Sequence, residues 1–383
     1  MQAKIEKLVP GGQGIATLED GKKAFIWGAL SGETVEFEVT KDKRSYCEGI
    51  ATKVLESAPE RIVPRDECYL ATSPWQIMTY DEELKQKSLI TKECFRQQHL
   101  DFDVLPTITD GKDFGYRNKM EYSLYWSHDD NRIHLAFHTR GTHRKTPIEQ
   151  SSIERPEIFA KAQEIIADLN AKHAEARTYQ SLLIRCDQAG KTSAALFENG
   201  KSHPQMDTLK DTLNGYEYSY SPNGFFQINL PVYELALKEI AQHITTDKVL
   251  DLYAGVGSIG LSVARGKDLT LVEVNGAAYG EMEQNAKGTS AKTVLAKSED
   301  VTEYITPDCT VILDPPRAGC DQKLIDKLNK IKPATIIYLS CNPITQARDI
   351  AMLVDNYSVD KLQPYNFFPR TPHVENLSIM TRK

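Results

Sequence analysis

At 383 residues, with 40% hydrophobic and 26% charged side chains, the chain has the composition of a soluble globular protein of two or three domains. No apolar run approaches the roughly 20 residues that cross a bilayer, and a net charge of −7 excludes a uniformly basic nucleic-acid binder. Seven scattered cysteines (Cys47, Cys68, Cys94, Cys186, Cys309, Cys320 and Cys341), no two at metal-ligand spacing, describe neither a disulfide framework nor a zinc site.

The start, MQAKIEKLVPGG, lacks the continuous apolar core of a signal peptide, which predicts the cytoplasm with no membrane association. Residues 1–57 read as five short strands with glycine-bearing turns (KIEKLV, GGQGIATL, KKAFIWG, ETVEFEVT and YCEGIATKVL), the pattern of a small OB-type barrel. Its GGQGIA turn and strand pattern resemble the TRAM domain, an RNA-binding appendage.

Residues 58–210 read as a mixed α+β domain. A helix is predicted over Asp81–His99 and another near Pro156–Leu169, with strands at Lys119–Trp126, Ile133–Thr139, Ser181–Cys186 and Thr192–Phe197. Between Lys112 and Lys145 seven Lys/Arg face four acids, with histidines at 128, 134, 138 and 143. On charge alone this window is a solvated face.

Residues 211–383 form the third predicted domain, where from residue 248 buried strands (VLDLY, LTLVEV, TVLA, TVILD, TIIYLS) alternate with helices. That rhythm predicts a Rossmann-like, doubly wound α/β sheet, whose ligands bind outside the carboxyl ends of the strands. Gly255-Val256-Gly257-Ser258-Ile259-Gly260 follows the first strand as a G-x-G-x-x-G turn, and Glu273 ends the second, placed to bind ribose hydroxyls. Both features suit an NAD-dependent dehydrogenase as well as an S-adenosyl-L-methionine enzyme. Asp314-Pro315-Pro316-Arg317 then puts a carboxylate and a rigid turn at the tip of TVILD, useful to a base-modifying methyltransferase and of no evident use to a dehydrogenase. Cys341 ends TIIYLS, and Asn342 and Pro343 cap and open a helix over Ile344–Asn356.

Leu250-Asp251-Leu252-Tyr253-Ala254-Gly255-Val256-Gly257, DPPRAG, LSCNPITQARD and His373-Val374-Glu375-Asn376, with Gly115-Tyr116-Arg117-Asn118-Lys119 and Phe225-Phe226-Gln227-Ile228-Asn229 upstream, resemble the RNA uracil-5-methyltransferases. That family includes the tRNA thymine-loop enzyme and the 23S rRNA enzymes. The resemblance spans nearly the whole chain, and the TRAM-like barrel points to the rRNA branch. It implies that Cys341 adds to C6 of uracil so that C5 can attack a sulfonium methyl, and that Glu375 then removes the C5 proton. A helix N-terminus beside Cys341 should favour the thiolate.

By the same resemblance Gln227, Asp251, Tyr253, Gly255, Gly257, Glu273 and Asp314 would hold S-adenosyl-L-methionine, and Arg117, Asn118, Lys119, Arg140 and Arg144 would contact RNA. No metal ligand and no protein partner is implied. Many rRNA-type members carry an iron–sulfur cluster on four cysteines. Here Cys68 keeps the first place, while Ala71-Thr72-Ser73-Pro74-Trp75-Gln76 and Gln150-Ser151-Ser152 stand at the others, so no cluster is expected. The expected activity is methylation of 23S rRNA to 5-methyluridine, with tRNA as the alternative. An RNA cytosine-5-methyltransferase would carry a further cysteine beside the proline of the DPP motif, and Cys320 lies too far along. A non-catalytic RNA-binding protein would have no use for both Cys341 and Glu375.

Overall fold

The computed structural model describes residues 1–141, 144–201 and 205–383. Its first 56 residues close into the expected barrel. The first predicted strand is broken into Gln2–Lys4, which pairs with Thr34–Asp42, and Lys7–Leu8, which pairs with Gly14–Thr17. One kinked strand therefore joins both edges of the sheet and leaves no free edge. Lys23–Trp27 pairs in parallel with Tyr46–Glu56, and Ala16, Ala24, Ile26, Val35 and Phe37 fill the interior.

The helix Tyr80–Arg96 starts where Thr79 accepts the Glu82 N–H, with Asp81, Glu82 and Glu83 on its positive end. In sequence it belongs to the middle of the chain, but it packs on the C-terminal sheet. Ile90, Cys94 and Phe95 join the cluster formed by Leu313, Ile336, Tyr338 and Ala347. The middle of the chain otherwise builds a five-stranded antiparallel sheet, in the order Thr192–Glu198, Tyr179–Cys186, Lys119–Ser127, Arg132–His138 and Lys145–Pro147. The helix Pro156–Ala171 covers one face.

The expected division at 210/211 falls inside a strand. Leu209–Leu213 pairs with Tyr216–Tyr220, and both pack with the helix Leu230–Gln242 against the C-terminal sheet. That sheet has seven strands, in the order Lys292–Leu295, Asp268–Glu273, Lys248–Leu252, Cys309–Leu313, Thr335–Ser340, Glu375–Arg382 and Tyr357–Tyr365. The first five are parallel, and the inner three, Lys248–Leu252, Cys309–Leu313 and Thr335–Ser340, are buried on both faces, as their continuous apolar runs predict. The last two form an antiparallel hairpin, so Glu375–Arg382 runs against Thr335–Ser340. No helix among the described residues is long and apolar enough to cross a membrane.

Candidate active site

The carboxyl ends of the parallel strands make one edge, and the site is built on it. After Lys248–Leu252 the chain turns through Tyr253 (φ +64°), Gly255 (φ +57°) and Gly257 (φ +85°) into the helix Ser258–Val263. Glu273 spans the mouth of this turn, accepting N–H bonds from Gly255 (2.9 Å) and Asn275 (2.6 Å).

Asp251 sits differently from its expected role as a cofactor ligand. It is fully buried beneath the turn and accepts the Gly260 N–H at 2.8 Å, so it holds the loop instead of facing the cleft. Glycine is needed at 260 because a Cβ there would stand 2.9 Å from Asp251 Oδ2. Burial pushes the Asp251 carboxyl up to about 8 and leaves its Oδ1 without a partner.

Asp314 follows Cys309–Leu313, and burial pushes its carboxyl up to about 7. Cys341 follows the adjacent strand Thr335–Ser340. The antiparallel register there runs from Thr335–Thr381 to Ser340–Asn376, so its next step sets Cys341 opposite Glu375. An antiparallel strand begins where its parallel neighbour ends. The general-base candidate is therefore delivered to the carboxyl edge by the first residue of the strand Glu375–Arg382.

Glu375 is 4% exposed, and its carboxyl is pushed well above the usual range by burial and then by Asp314, against the pull of Arg317. The expected resting thiolate at Cys341 is corrected by the same crowding. Burial, then Glu375 and Asp314, push the thiol up to about 12. The helix Pro343–Ala351 offers little in compensation, because Asn342 Oδ1 takes the Ile344 N–H and Pro343 has none to give. Arg317 donates to His373 Nδ1 at 3.3 Å, and burial together with Arg317 holds His373 down at about 4, hence neutral.

The residues expected to touch RNA divide. Asn118 is 4% exposed and gives its amide to Gln227 O at 3.2 Å; Lys119 reaches Gly224 O at 3.1 Å. Arg140 donates to Leu70 O at 2.6 Å and lies 4.0 Å over the Trp27 ring, tying the five-stranded sheet to the barrel. In this structure all three tether one element to another. Arg117 is half-buried with its Nε on Lys119 O, and Arg144 is exposed. Of the histidines in that window, His143 lies outside the described residues, and His134 meets Asp130 at 2.9 Å.

Sequence reasoning missed Arg185. It is fully buried 4.6 Å over Tyr220, and donates to Phe226 O (2.8 Å) and Gln227 O (3.0 Å). Together with Asn118 it fixes the loop that presents Gln227. The Arg in SLLIRCDQ, a cation inside an apolar run, was the available signal.

A group that is cationic at one end and rich in hydroxyls fits this site. At this edge burial raises the Asp314 and Glu375 carboxyls, and a cation placed beside them would favour their charged form. Beside Gln227, the buried Asn229 amide has neither atom partnered. The iron–sulfur positions do not fit a cluster. Asp66 accepts from Gln76 Nε2 (2.9 Å), Ser152 N (3.0 Å) and Ser152 Oγ (2.6 Å), closing that region with hydrogen bonds. Burial pushes the Cys68 thiol up to about 12. Among the described residues no group of three or more His, Cys, Asp or Glu could hold a metal ion.

Residues 205–383 match the family model described as tRNA (Uracil-5-)-methyltransferase, and residues 1–52 match the TRAM domain. The chain is 28% identical to an uncharacterized RNA methyltransferase of Enterococcus faecalis, over all of this chain and 97% of the relative. It is 27% identical to one of Lactiplantibacillus plantarum at the same coverage. In fold it is similar to the Pyrococcus abyssi tRNA (uracil-54, C5)-methyltransferase, solved with S-adenosyl-L-homocysteine. The TM-score is 0.79 at 23% identity, over 100% of this chain and 99% of that one. The C-terminal part of the chain is therefore similar to the tRNA (Uracil-5-)-methyltransferase family, with a match to the TRAM domain ahead of it, and its full-length relatives are RNA methyltransferases by name.

Proposed function

We propose that the protein is a cytoplasmic, S-adenosyl-L-methionine-dependent methyltransferase that converts a uridine of 23S rRNA to 5-methyluridine through a covalent bond between Cys341 and C6. The observation that carries this reading is the strand register, whose last pair, Ser340–Asn376, directly adjoins Cys341 and Glu375 at the strand edge, with Asp314 on the neighbouring strand tip. Gln227, Glu273, Asp314 and the Tyr253–Gly257 turn would hold the cofactor. When bound, the cofactor supplies an electrophilic methyl on a sulfonium, and its positive charge relieves the crowding of carboxyls.

The chain's own residues then act in sequence. The Cys341 proton passes to water as Sγ bonds to C6, and the C5–C6 π pair moves toward O4 as an enolate. The enolate returns its electron pair through C5, which becomes methylated. Glu375 takes the C5 proton, that C–H pair restores the C5–C6 double bond, and Sγ departs with the C6–S pair. The uracil must leave its stack to reach Cys341, so the target lies in a loop or unpaired segment.

A tRNA substrate is the second reading. It is favoured by the full-length likeness in fold to the Pyrococcus abyssi enzyme. Mapping 5-methyluridine in rRNA and tRNA from cells with the gene deleted decides between them. Loss at a 23S position supports the first reading, loss in tRNA supports the second, and loss in neither refutes both. Protein prepared without oxygen should contain no iron; stoichiometric iron dependent on Cys68 would overturn the cluster-free reading.

A further inference from the structure

The loop Asn366–Pro372 leads directly into His373 and Glu375, and it is braced from two sides. From one side comes a pair of charges on the helix Tyr80–Arg96. Glu83 and Lys87 are both fully buried and lie 3.0 Å apart. Glu83 receives the Arg370 N–H on both oxygens at 3.0 Å and Asn366 Nδ2 at 3.0 Å. Lys87 donates to Asn366 Oδ1 at 2.5 Å and to Phe368 O at 3.0 Å. A buried charged pair on a helix is a costly way to hold a helix, but an effective way to fix a loop, since each loop partner satisfies a charge that has no water. Arg370 shows what is being held. It takes φ +64° without being glycine, and its guanidinium is buried on Met78 O (2.7 Å) and Asp113. Such a conformation persists only where its surroundings impose it.

From the other side comes the TRAM barrel. Its Gly12 (φ +97°) lies against Pro372 so closely that a Cβ would stand 2.6 Å from Pro372 Cγ and 3.1 Å from Trp75 Nε1. The Trp75 indole donates to Gly12 O at 3.1 Å, and its backbone N–H to Arg370 O at 3.1 Å. The GG turn that marks the barrel in the sequence is therefore also the barrel's contact with the base-bearing loop, three residues before Glu375.

We propose that Gly12, together with the buried pair Glu83–Lys87, positions the Glu375 loop, so that the barrel governs the proton-removal and release steps as well as contributing to RNA binding. This rests on the assignment of Glu375 as the base. A small displacement of a base slows the step that uses it far more than it weakens binding.

The test uses full-length Gly12→Val, methyl-labelled S-adenosyl-L-methionine and RNA from cells with the gene deleted. The expected result is a kcat roughly 10- to 100-fold lower with KM for RNA within about twofold of the parent. A protein–RNA adduct should accumulate on denaturing gels. Glu83→Gln, which perturbs the loop from the helix side, should show the same split. Parent-like turnover in Gly12→Val, or a defect confined to RNA affinity, overturns the proposal. Glu375→Gln run alongside separates the two claims. An adduct there with a parent-like Gly12→Val overturns the positioning role alone. No adduct there overturns the base assignment, and the kcat split in Gly12→Val and Glu83→Gln then judges the positioning role by itself.

Discussion

The carboxyl edge of the seven-stranded sheet and the end of the five-stranded sheet that meets it handle charge in opposite ways. On the edge, Asp251, Asp314 and Glu375 are gathered with Arg317 as the nearby cation, and each carboxyl is raised. On the five-stranded sheet, Lys119, Arg140 and Arg185 are all half-buried or buried, and all give their protons to backbone carbonyls. Burial lowers Lys119 to about 8 and also lowers Arg140 and Arg185. In the first region burial keeps the carboxyls protonated to higher pH, and an incoming cation would favour their charged form. The second uses its positive charge to hold loops, so a basic composition there is a poor measure of RNA contact.

The sharpest test of the comparison is at the edge, where the two reacting side chains should fail differently. Cys341→Ala removes the group that activates C5, and methyl transfer should fall to background in a labelled-methyl assay. Glu375→Gln leaves attack intact and removes the base, so methylated RNA should stay bonded to Cys341 and run as a slow band on a denaturing gel. The double variant should give no band. Normal turnover by Glu375→Gln, or a band without Cys341, would break the assignment.

On the five-stranded sheet the expectation is the reverse of an RNA-contact residue. Asn118→Ala removes the amide held on Gln227 O. Calorimetry should show S-adenosyl-L-methionine affinity weakened about tenfold, the range of a lost buried hydrogen bond, with RNA affinity unchanged. A variant that loses RNA and keeps the cofactor would restore Asn118 to the RNA surface. Arg144→Ala is the counterpart on an exposed position. It should weaken RNA binding modestly and lower the salt dependence by about one phosphate contact. A salt dependence equal to the parent's would remove Arg144 from the interface.

How far these regions could be read in advance follows from their physics. A doubly wound sheet fixes its strand tips by rule, so Asp314, Glu273 and Cys341 could be placed on one edge from apolar runs and motif positions. Glu375 could be named only by resemblance, because nothing in ENLSIMTR says that its strand runs antiparallel. The helix Tyr80–Arg96 was legible as a helix, but its partner was not. Lys87 reaches Asn366 across 279 positions of chain, a pairing that no local pattern encodes. The tethers of Asn118 and Arg140 were hidden for a related reason: charge and polarity are visible in a sequence, and the carbonyls that accept their hydrogen bonds are not.

The smallest expected effect is also the one in which the two regions have opposite signs. Asp314 at about 7 holds a proton in the folded, ligand-free protein that an unfolded aspartate releases near its ordinary 3.8. Between those values the folded state binds more protons. Its contribution is therefore full below the unfolded value and is lost as pH rises through the folded one. Lys119 at about 8 has released a proton that an unfolded lysine keeps to about 10.5. Its folded state binds fewer protons, so its share of stability is penalised below pH 8 and recovers as pH rises toward 10.5. Thermal melts of the ligand-free protein across pH 5 to 10 should show Asp314→Asn flattening the decline between pH 5 and 8, with no change on the alkaline side. Lys119→Met should remove a rise on the alkaline side and leave the acid side as it was. S-adenosyl-L-methionine should reduce the Asp314-dependent decline, because a nearby cation favours the carboxylate and brings its folded value down toward the unfolded one. If both variants change the same limb of the profile, the opposition of the two regions is wrong.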